Sequence, residues 1–235
     1  MFNSKVFVAE LIGTFALVFI GAGTGVVGIG GLVGVALAHG LVIASFAYVY
    51  GHISGAHFNP AVTFGLALNG TVKWGDALYY WIAQFVGAAF AALALNYVAS
   101  SVSGLDGGAT VGTLTRLGDA AYAPYAGLLV EIILTFFLVN AVLHAAVAGK
   151  AGAFAGLAIG LTLTFAILAG GPMTGASLNP ARTFGPALFT GSLTNPMTYL
   201  IYFAGPLAGS ALAVGVFKFL NTGDDEGVRK PPKKK

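Results

Sequence analysis

The sequence predicts an all-α membrane protein with six transmembrane helices and two shorter, re-entrant half-helices arranged as an inverted repeat. Three observations support this fold class: the composition, six long apolar blocks, and two motifs that each occur twice. Of the 235 residues, 57% are hydrophobic and 8% are charged, whereas about 25% are charged in an ordinary soluble domain. Such a chain cannot cover itself with polar side chains in water, so we expect it in a bilayer.

Six apolar blocks of about 20 residues set the number of spanning helices, because at 1.5 Å per residue each can cross a hydrocarbon core of about 30 Å. The first block is too long for the apolar region of a secretory signal, and no small-residue cleavage site follows it, so we expect it to remain as a helix. The blocks lie near residues 6–27, 32–50, 77–99, 125–148, 153–171 and 197–220.

The absence of cysteine excludes several kinds of site. With no thiol in the chain, disulfides, thiolate metal sites and thiol nucleophiles are ruled out. We expect neither a metal nor a cofactor. The net charge of +3 says nothing about nucleic acid, so no nucleic-acid partner is predicted.

The basic residues predict the orientation. With six spans both termini lie on the same side, and only Arg116 falls on the opposite side, while Arg182 falls within the membrane region. By the positive-inside rule both termini are cytoplasmic, in a plasma (inner) membrane, and residues 223–235 form a charged cytoplasmic tail. The basic residues on the cytoplasmic side are Lys5, Lys73, Lys150, Lys218, Arg229, Lys230, Lys233, Lys234 and Lys235.

Two motifs recur along the chain. The segment Val-Ala-Glu-Leu-Ile-Gly-Thr-Phe at 8–15 is echoed at 129–136, and Ser-Gly-Ala-His-Phe-Asn-Pro-Ala at 54–61 is echoed at 174–181, with offsets of 121 and 120 residues. Each copy holds three spans, an odd number, so the second copy must enter the membrane inverted. We therefore predict one transmembrane domain at 1–222, built from repeats at about 1–110 and 120–222.

Two apolar runs are too short to span a bilayer. Residues 60–68 and 180–189 would form helices of about 14 and 15 Å, which together reach about 29 Å. Asn59 and Asn179 can each cap a helix whose first position is a proline. Short segments at matching positions of inverted halves indicate a permeation or binding site, so we expect the two helices to meet at the midplane.

These features together resemble the aquaporin family of major intrinsic proteins. The likeness is carried by the paired triplets Asn59-Pro60-Ala61 and Asn179-Pro180-Ala181, their flanking residues, and the acids Glu10 and Glu131. It implies a homotetramer with one pore per subunit, in which both acids hold pore loops by accepting backbone hydrogen bonds; a proton relay is the alternative role for a membrane acid. The resemblance also assigns pore-lining carbonyls to Gly55, Ala56, His57, Phe58, Gly175, Ala176, Ser177 and Leu178.

A constriction can be located by counting helical rises. Arg182 and His39 both fall about 4 to 5 Å above the midplane, and Ile167 about 6 Å above it. Since an unpaired arginine at this depth is costly in lipid, it should line a wet cavity. The resemblance implies that these three residues and Ala176 form the selectivity filter.

The predicted function is passive water permeation without protons or ions, and no enzymatic activity. Two helix N-termini and two asparagine amides facing one point would repel cations and orient a passing water molecule. This orientation interrupts proton transfer along a single file of water molecules. The filter is similar to that of plant tonoplast intrinsic proteins, so we hypothesise that ammonia and urea accompany water. The connection at 100–123 lacks the histidine that some ammonia-passing relatives have there, which weakens this analogy.

Particular residues distinguish the alternative functions from a water channel. A glycerol facilitator typically has Asp and a basic residue where this chain has Thr183 and Ala187, and Pro-Leu where it has Tyr202-Phe203. An ion-coupled secondary transporter would share the inverted repeat but should carry midplane carboxylates, which we do not find between the triplets. An enzyme would need an acid/base pair that the predicted pore does not offer.

Overall fold

Within residues 3–28, 30–101 and 123–222, which this computed structural model describes, the chain forms six long helices and two short ones. In chain order they are α1 (Ser4–Val27), α2 (Gly31–Ser54), α3 (Pro60–Asn69), α4 (Trp74–Ser101), α5 (Ala123–Val147), α6 (Gly152–Thr174), α7 (Pro180–Thr190) and α8 (Pro196–Asn221). Each predicted apolar block coincides with one long helix, with only residue 148 of the fourth block lying beyond its helix, and the two short runs form α3 and α7. The predicted fold class is confirmed.

The helix ends follow local chemistry more than hydropathy. The second apolar block stops near residue 50, but α2 continues to Ser54, where Gly55 ends it in the left-handed region at φ 83°. Gly175 ends α6 in the same way at φ 81°. Glycine adopts this conformation without a Cβ penalty, so each long helix stops directly before a pore loop.

Glycines allow two pairs of long helices to pack closely. A Cβ at Gly160 of α6 would collide with the Gly40 carbonyl of α2, and a Cβ at Gly209 of α8 would collide with the Ile132 carbonyl of α5. This is the small-residue packing that replaces hydrophobic association in lipid. Gly30 differs from these two glycines, because a Cβ added there would meet Gly34, one turn further along the chain, and not a neighbouring helix.

Three helices contain a wider π turn that the sequence pattern does not reveal. These turns span Leu17–Ala22 in α1, Val142–Val147 in α5 and Leu200–Ala204 in α8. A π turn inserts one extra residue and is often found at functional sites. The first two turns begin at Leu17 and Val142, both of which line the central cavity.

The outer surface of the bundle is apolar. Leu41 is 60% exposed and Leu129 is 56% exposed, and both lie on spanning helices. Such a surface would favour aggregation in water but suits a hydrocarbon environment. Arg116, which helped to predict the orientation, and the tail at 223–235 lie outside the described residues. The boundaries of the two repeats stay a prediction.

Candidate functional site

The two short helices begin at asparagines that cap them. Asn59 and Asn179 are in extended conformations, with φ of −157° and −150°. The Asn59 Oδ1 accepts from the Ala61 amide at 2.8 Å, and the Asn179 Oδ1 accepts from the Ala181 amide at 3.0 Å. Pro60 and Pro180 occupy the first helical positions, as the sequence predicts, because proline has no N–H to leave unpaired there.

The same asparagines join the two halves of the chain. The Asn59 Nδ2 donates to the Leu178 carbonyl at 2.8 Å, and the Asn179 Nδ2 donates to the Phe58 carbonyl at 2.9 Å. These reciprocal bonds hold the tips of α3 and α7 together. An amide nitrogen carries two hydrogens, so one N–H of each asparagine remains after this bond is made. Both asparagines line the cavity described below.

The loops before α3 and α7 have a strained backbone. Ala56 and Phe58 have φ of 53° and 49°, and their counterparts Ala176 and Leu178 have φ of 44° and 55°. A left-handed conformation costs a residue with a Cβ about 1 to 2 kcal/mol. Four such residues within two short loops require strong support from the surrounding structure.

Glu10 and Glu131 provide that support. The Glu10 carboxylate accepts from the His57 and Phe58 amides at 2.9 and 2.7 Å. The Glu131 carboxylate accepts from the Ser177 and Leu178 amides at 3.0 and 2.8 Å. Both side chains have no exposed surface. Because hydrogen bonds to a charged acceptor are stronger than neutral ones, each acid can fix its loop in the strained form.

Further side chains complete this network, and the sequence analysis did not identify them. Ser54 and Thr174 donate from their hydroxyls to Glu10 and Glu131 at 2.6 and 2.7 Å. Gln84 donates to Glu10 at 2.8 Å. The Tyr80 hydroxyl donates to the Ser54 carbonyl, and the Tyr202 hydroxyl donates to the Thr174 carbonyl. Ser54 and Thr174 are the first residues of the two copies of the longer motif. Their matching positions were the signal in the sequence that could have identified them.

The four predicted filter residues are all buried, but only His39 and Arg182 are hydrogen-bonded to each other. The His39 Nδ1 lies 2.8 Å from the Val35 carbonyl, which can only accept, so Nδ1 carries the proton and Nε2 has a free lone pair. The Arg182 Nε donates to this Nε2 at 3.4 Å. Ile167 and Ala176 are 2% and 1% exposed, and neither lines the cavity.

Arg182 lacks a full set of partners. Its side chain is 5% exposed, and its Nη1 makes no hydrogen bond to any part of the chain that the structure describes. A buried guanidinium donor left unpaired is costly unless water or a passing molecule accepts from it. The arginine therefore presents a donor that a small polar solute can use.

A cavity of about 350 Å³ connects these features. It runs from His39 and Arg182, past Asn59 and Asn179, to Thr71 near the C-terminus of α3. Most of its wall is apolar. Of the residues predicted to line the pore with carbonyls, Gly55, Ala56, His57 and Ser177 lie along this cavity. Phe58 and Leu178 are fully buried, and Gly175 and Ala176 do not line it.

The site offers no metal-binding cluster in the described residues, since no three side chains of His, Cys, Asp or Glu converge there. The cavity wall includes two histidines, His39 and His57, and no carboxylate. The His57 Nδ1 instead contacts the Thr63 hydroxyl at 3.0 Å, and its ring stacks on Tyr80.

Comparison with known proteins decides the family. The family described as Major intrinsic protein matches residues 1–217. The chain belongs to this family. It is 41% identical to Aquaporin Z of Bradyrhizobium diazoefficiens over 93% of this chain and 94% of that protein. It is 39% identical to a protein of Antirrhinum majus named "Probable aquaporin TIP-type", over 89% of this chain and 84% of the relative.

A solved structure shows the same fold. The aquaglyceroporin from Plasmodium falciparum superposes with a TM-score of 0.72, at 24% identity, over 91% of this chain and 93% of that chain. The resemblance to aquaporins drawn from the paired triplets is confirmed. As a major intrinsic protein the chain is a multi-pass membrane channel and not an enzyme.

Proposed function

We propose that this major intrinsic protein conducts water passively and excludes protons and ions. The observation that carries the proposal is the reciprocal bonding of Asn59 and Asn179, because it leaves one N–H of each amide beside the cavity. A water that accepts from both amides directs its own hydrogens away from the centre and cannot pass a proton along the file. The half-positive ends of α3 and α7 add to this orientation.

Ions are excluded by two further properties of the site. The cavity wall is mostly apolar and carries no carboxylate, so a cation that loses its hydration shell finds few replacement ligands. Arg182 adds a positive charge without an acidic hydrogen-bond partner among the described residues. Neutral molecules escape both penalties. The relatives named aquaporins agree with water as the permeant.

The proposal is tested by osmotic and proton fluxes in proteoliposomes. Wild-type vesicles should shrink faster than empty lipid without dissipating a pH gradient. A unit charge about 4 Å away at an effective dielectric constant of about 20 contributes about 4 kcal/mol, so Arg182→Ala should raise cation leakage by up to about a thousandfold. Lys150→Ala, a lysine outside the cavity lining, is the control. Water flux equal to that of empty lipid would refute the proposal.

Ammonia, and with it urea, is the second group of permeants that we propose. Two observations favour it: His39 stands at the filter with its Nε2 directed to Arg182, and the relatives include TIP-type proteins of plants. Ile167 leaves one predicted filter position apolar. Stopped-flow alkalinisation of vesicles should show ammonia uptake above the protein-free rate, and no excess would end this part of the proposal.

Glycerol is a weaker candidate. The similar solved structure is that of an aquaglyceroporin, but at 24% identity it shows the fold only. Tyr202, where glycerol facilitators have a smaller residue by the resemblance above, is 4% exposed and bonded to the Thr174 carbonyl, so its ring is fixed. A secondary transporter is disfavoured because the acids Glu10 and Glu131 do not line the cavity. Saturable, gradient-dependent flux would identify one.

Assembly and orientation belong to the same proposal. We propose a homotetramer with one pore in each subunit, and a plasma (inner) membrane location with both termini cytoplasmic. The apolar faces left exposed on the spanning helices support burial in lipid or against other subunits. Lys5, Lys73, Lys150 and Lys218, all on the proposed cytoplasmic side, support the orientation. Chemical cross-linking in detergent and protease accessibility in sealed vesicles test these two points.

A further inference from the structure

The face of the His39 ring packs against the backbone of α1 at Gly21. A Cβ added to Gly21 would lie 2.5 Å from the His39 Cδ2 and Nε2 and 2.6 Å from its Cε1, and these are the three nearest atoms. Carbon atoms in contact are ordinarily about 3.5 to 4.0 Å apart. Because the three distances are nearly equal, the added carbon would stand over the face of the ring and not beside its edge. The imidazole therefore occupies the space that a side chain at position 21 would need.

Gly21 can act on permeation only through this ring. It is buried within the π turn Leu17–Ala22 of α1, and it does not line the central cavity. The His39 ring, in contrast, lies against Gly21 and also forms part of the cavity wall. A ring that is pushed off α1 consequently moves toward the cavity.

Two hydrogen bonds hold the ring where it packs on Gly21. The His39 Nδ1 is bonded to the Val35 carbonyl at 2.8 Å, within its own helix. The His39 Nε2 accepts from the Arg182 Nε at 3.4 Å, close to the longest distance at which such a bond forms. Restoring an ordinary contact with a Cβ at position 21 would displace the ring by about 1 Å. Such a displacement breaks the contact with Arg182 or the bond to Val35.

The second repeat shows what occupies this position where no imidazole has to fit. The offset of 121 residues between the copies of the first motif relates Gly21 to Val142, and the offset of 120 between the copies of the second relates His39 to Ile159. Val142 begins the π turn of α5, and both Val142 and Ile159 line the cavity. A β-branched side chain is therefore compatible with this place in the fold. The glycine is needed where a histidine replaces the isoleucine.

We propose that Gly21 is a positioning residue for the selectivity filter. Its backbone is the surface on which the His39 ring packs, and this surface sets the distance between the His39 Nε2 and the Arg182 Nε. A residue with a Cβ at position 21 moves the ring into the cavity and separates it from Arg182. The effect on permeation rests on the proposed function, whereas the effect on the ring does not.

Gly21→Ala tests this role, with Gly25→Ala as the matched control. Gly25 lies one turn further along α1, and a Cβ there would meet the Val35 side chain at 3.7 Å, an ordinary contact. In proteoliposomes Gly21→Ala should lower the ratio of ammonia uptake to water flux by about two- to tenfold, the effect of losing one hydrogen bond. Gly25→Ala adds the same methyl group to the same helix and should keep the wild-type ratio.

Imidazole nitrogen spectra report the position of the ring without any transport measurement. The full chain is labelled with ¹⁵N-histidine in lipid, and the signals lost in His39→Ala identify this residue. In Gly21→Ala the His39 Nε2 signal should shift to that of a nitrogen without a donor, while the Gly25→Ala spectrum should match the wild type. An unchanged Nε2 signal in Gly21→Ala would overturn the proposal.

The double variant Gly21→Ala/His39→Ala separates positioning from a general need for glycine in α1. Without the ring the added methyl group has lost its nearest neighbours, so the double variant should match His39→Ala in flux ratio and in stability. If Gly21→Ala alone does not fold, folding of the double variant supports the proposal and its failure to fold overturns it. Equal effects of Gly21→Ala with and without the His39 ring would show a structural role only and would also overturn it.

The two proposals fail in different ways. A wild type that conducts neither water nor ammonia, but whose His39 Nε2 signal shifts in Gly21→Ala, would refute the proposed function and support the positioning role. A conducting wild type whose flux ratio and Nε2 signal are both unchanged in Gly21→Ala would refute the positioning role alone.

Discussion

Replacing each of the two buried acids, Glu10 and Glu131, by glutamine allows the loss of stability to be compared between the two halves of the chain. In Glu10→Gln, the remaining oxygen can keep the two donors now on Oε1, from Ser54 and His57, while the new NH₂ faces the Phe58 amide and Gln84. Two buried donors are then unpaired. At about 1 to 3 kcal/mol for each unsatisfied group, the free energy of unfolding should fall by about 2 to 6 kcal/mol.

The matched change Glu131→Gln should lower the free energy of unfolding by less than Glu10→Gln does. Its oxygen can keep Thr174 and Ser177, and only the Leu178 amide faces the new NH₂. The expected loss is about 1 to 3 kcal/mol. Rotation of the Gln84 amide can relieve part of the Glu10→Gln penalty, which would bring the loss toward the lower end of its range of about 2 to 6 kcal/mol.

Unfolding of both variants by a denaturing detergent measures these losses against the wild type. Osmotic flux on the same samples shows whether the loops before α3 and α7 keep their shape, since a distorted loop narrows the cavity. We expect Glu10→Gln to lose more stability than Glu131→Gln. Equal losses, or a larger loss for Glu131→Gln, would show that donor count does not set the strength of the two networks.

Three further predictions concern packing, the filter and the missing thiol. Gly160→Val should destabilise the bundle by about 1 to 3 kcal/mol, measured by thermal unfolding, because its side chain would collide with the Gly40 carbonyl. His39→Phe should lower ammonia uptake relative to water flux in stopped-flow assays, because it removes the acceptor for Arg182 and fills the filter with an apolar ring. Mercurials should not block water flux, since the chain has no cysteine, whereas Val62→Cys, which places a thiol on the cavity wall, should create a blockable channel. Rapid inhibition of the wild type by mercurials would contradict the last expectation. An unchanged ratio of ammonia uptake to water flux in His39→Phe would contradict the one before it.

The sequence predicts the helices well because hydropathy and capping are local properties. Apolar blocks located all six spans, and the Asn-Pro starts located α3 and α7 to within one residue at either end. The counted rises placed His39 and Arg182 at one level, and the structure shows them in contact. Local signals of this kind survive folding because neighbouring helices do not change them.

Contacts that join distant segments could not be predicted in this way. The bond from Asn59 to Leu178 spans 119 residues, and no pattern within either loop reveals it. We expected both asparagine amides to face the passing molecule, but each uses one N–H to hold the opposite loop. Gln84 escaped notice for another reason: it has no partner in the second repeat, where the equivalent region carries Gly205 and Pro206.

The two repeats are alike where they support the pore and different where they line it. Glutamate, hydroxyl, asparagine and tyrosine occur at matching positions and make matching bonds. Arg182, however, corresponds to Val62, which lines the cavity on the other side of the asparagines. An inverted repeat with identical lining would place a charge at both ends of the pore, and a solute would have to pass two polar barriers. In this chain the arginine occurs in one repeat only, so under the proposed function selection is confined to that end, while the shared hydrogen bonds hold both loops.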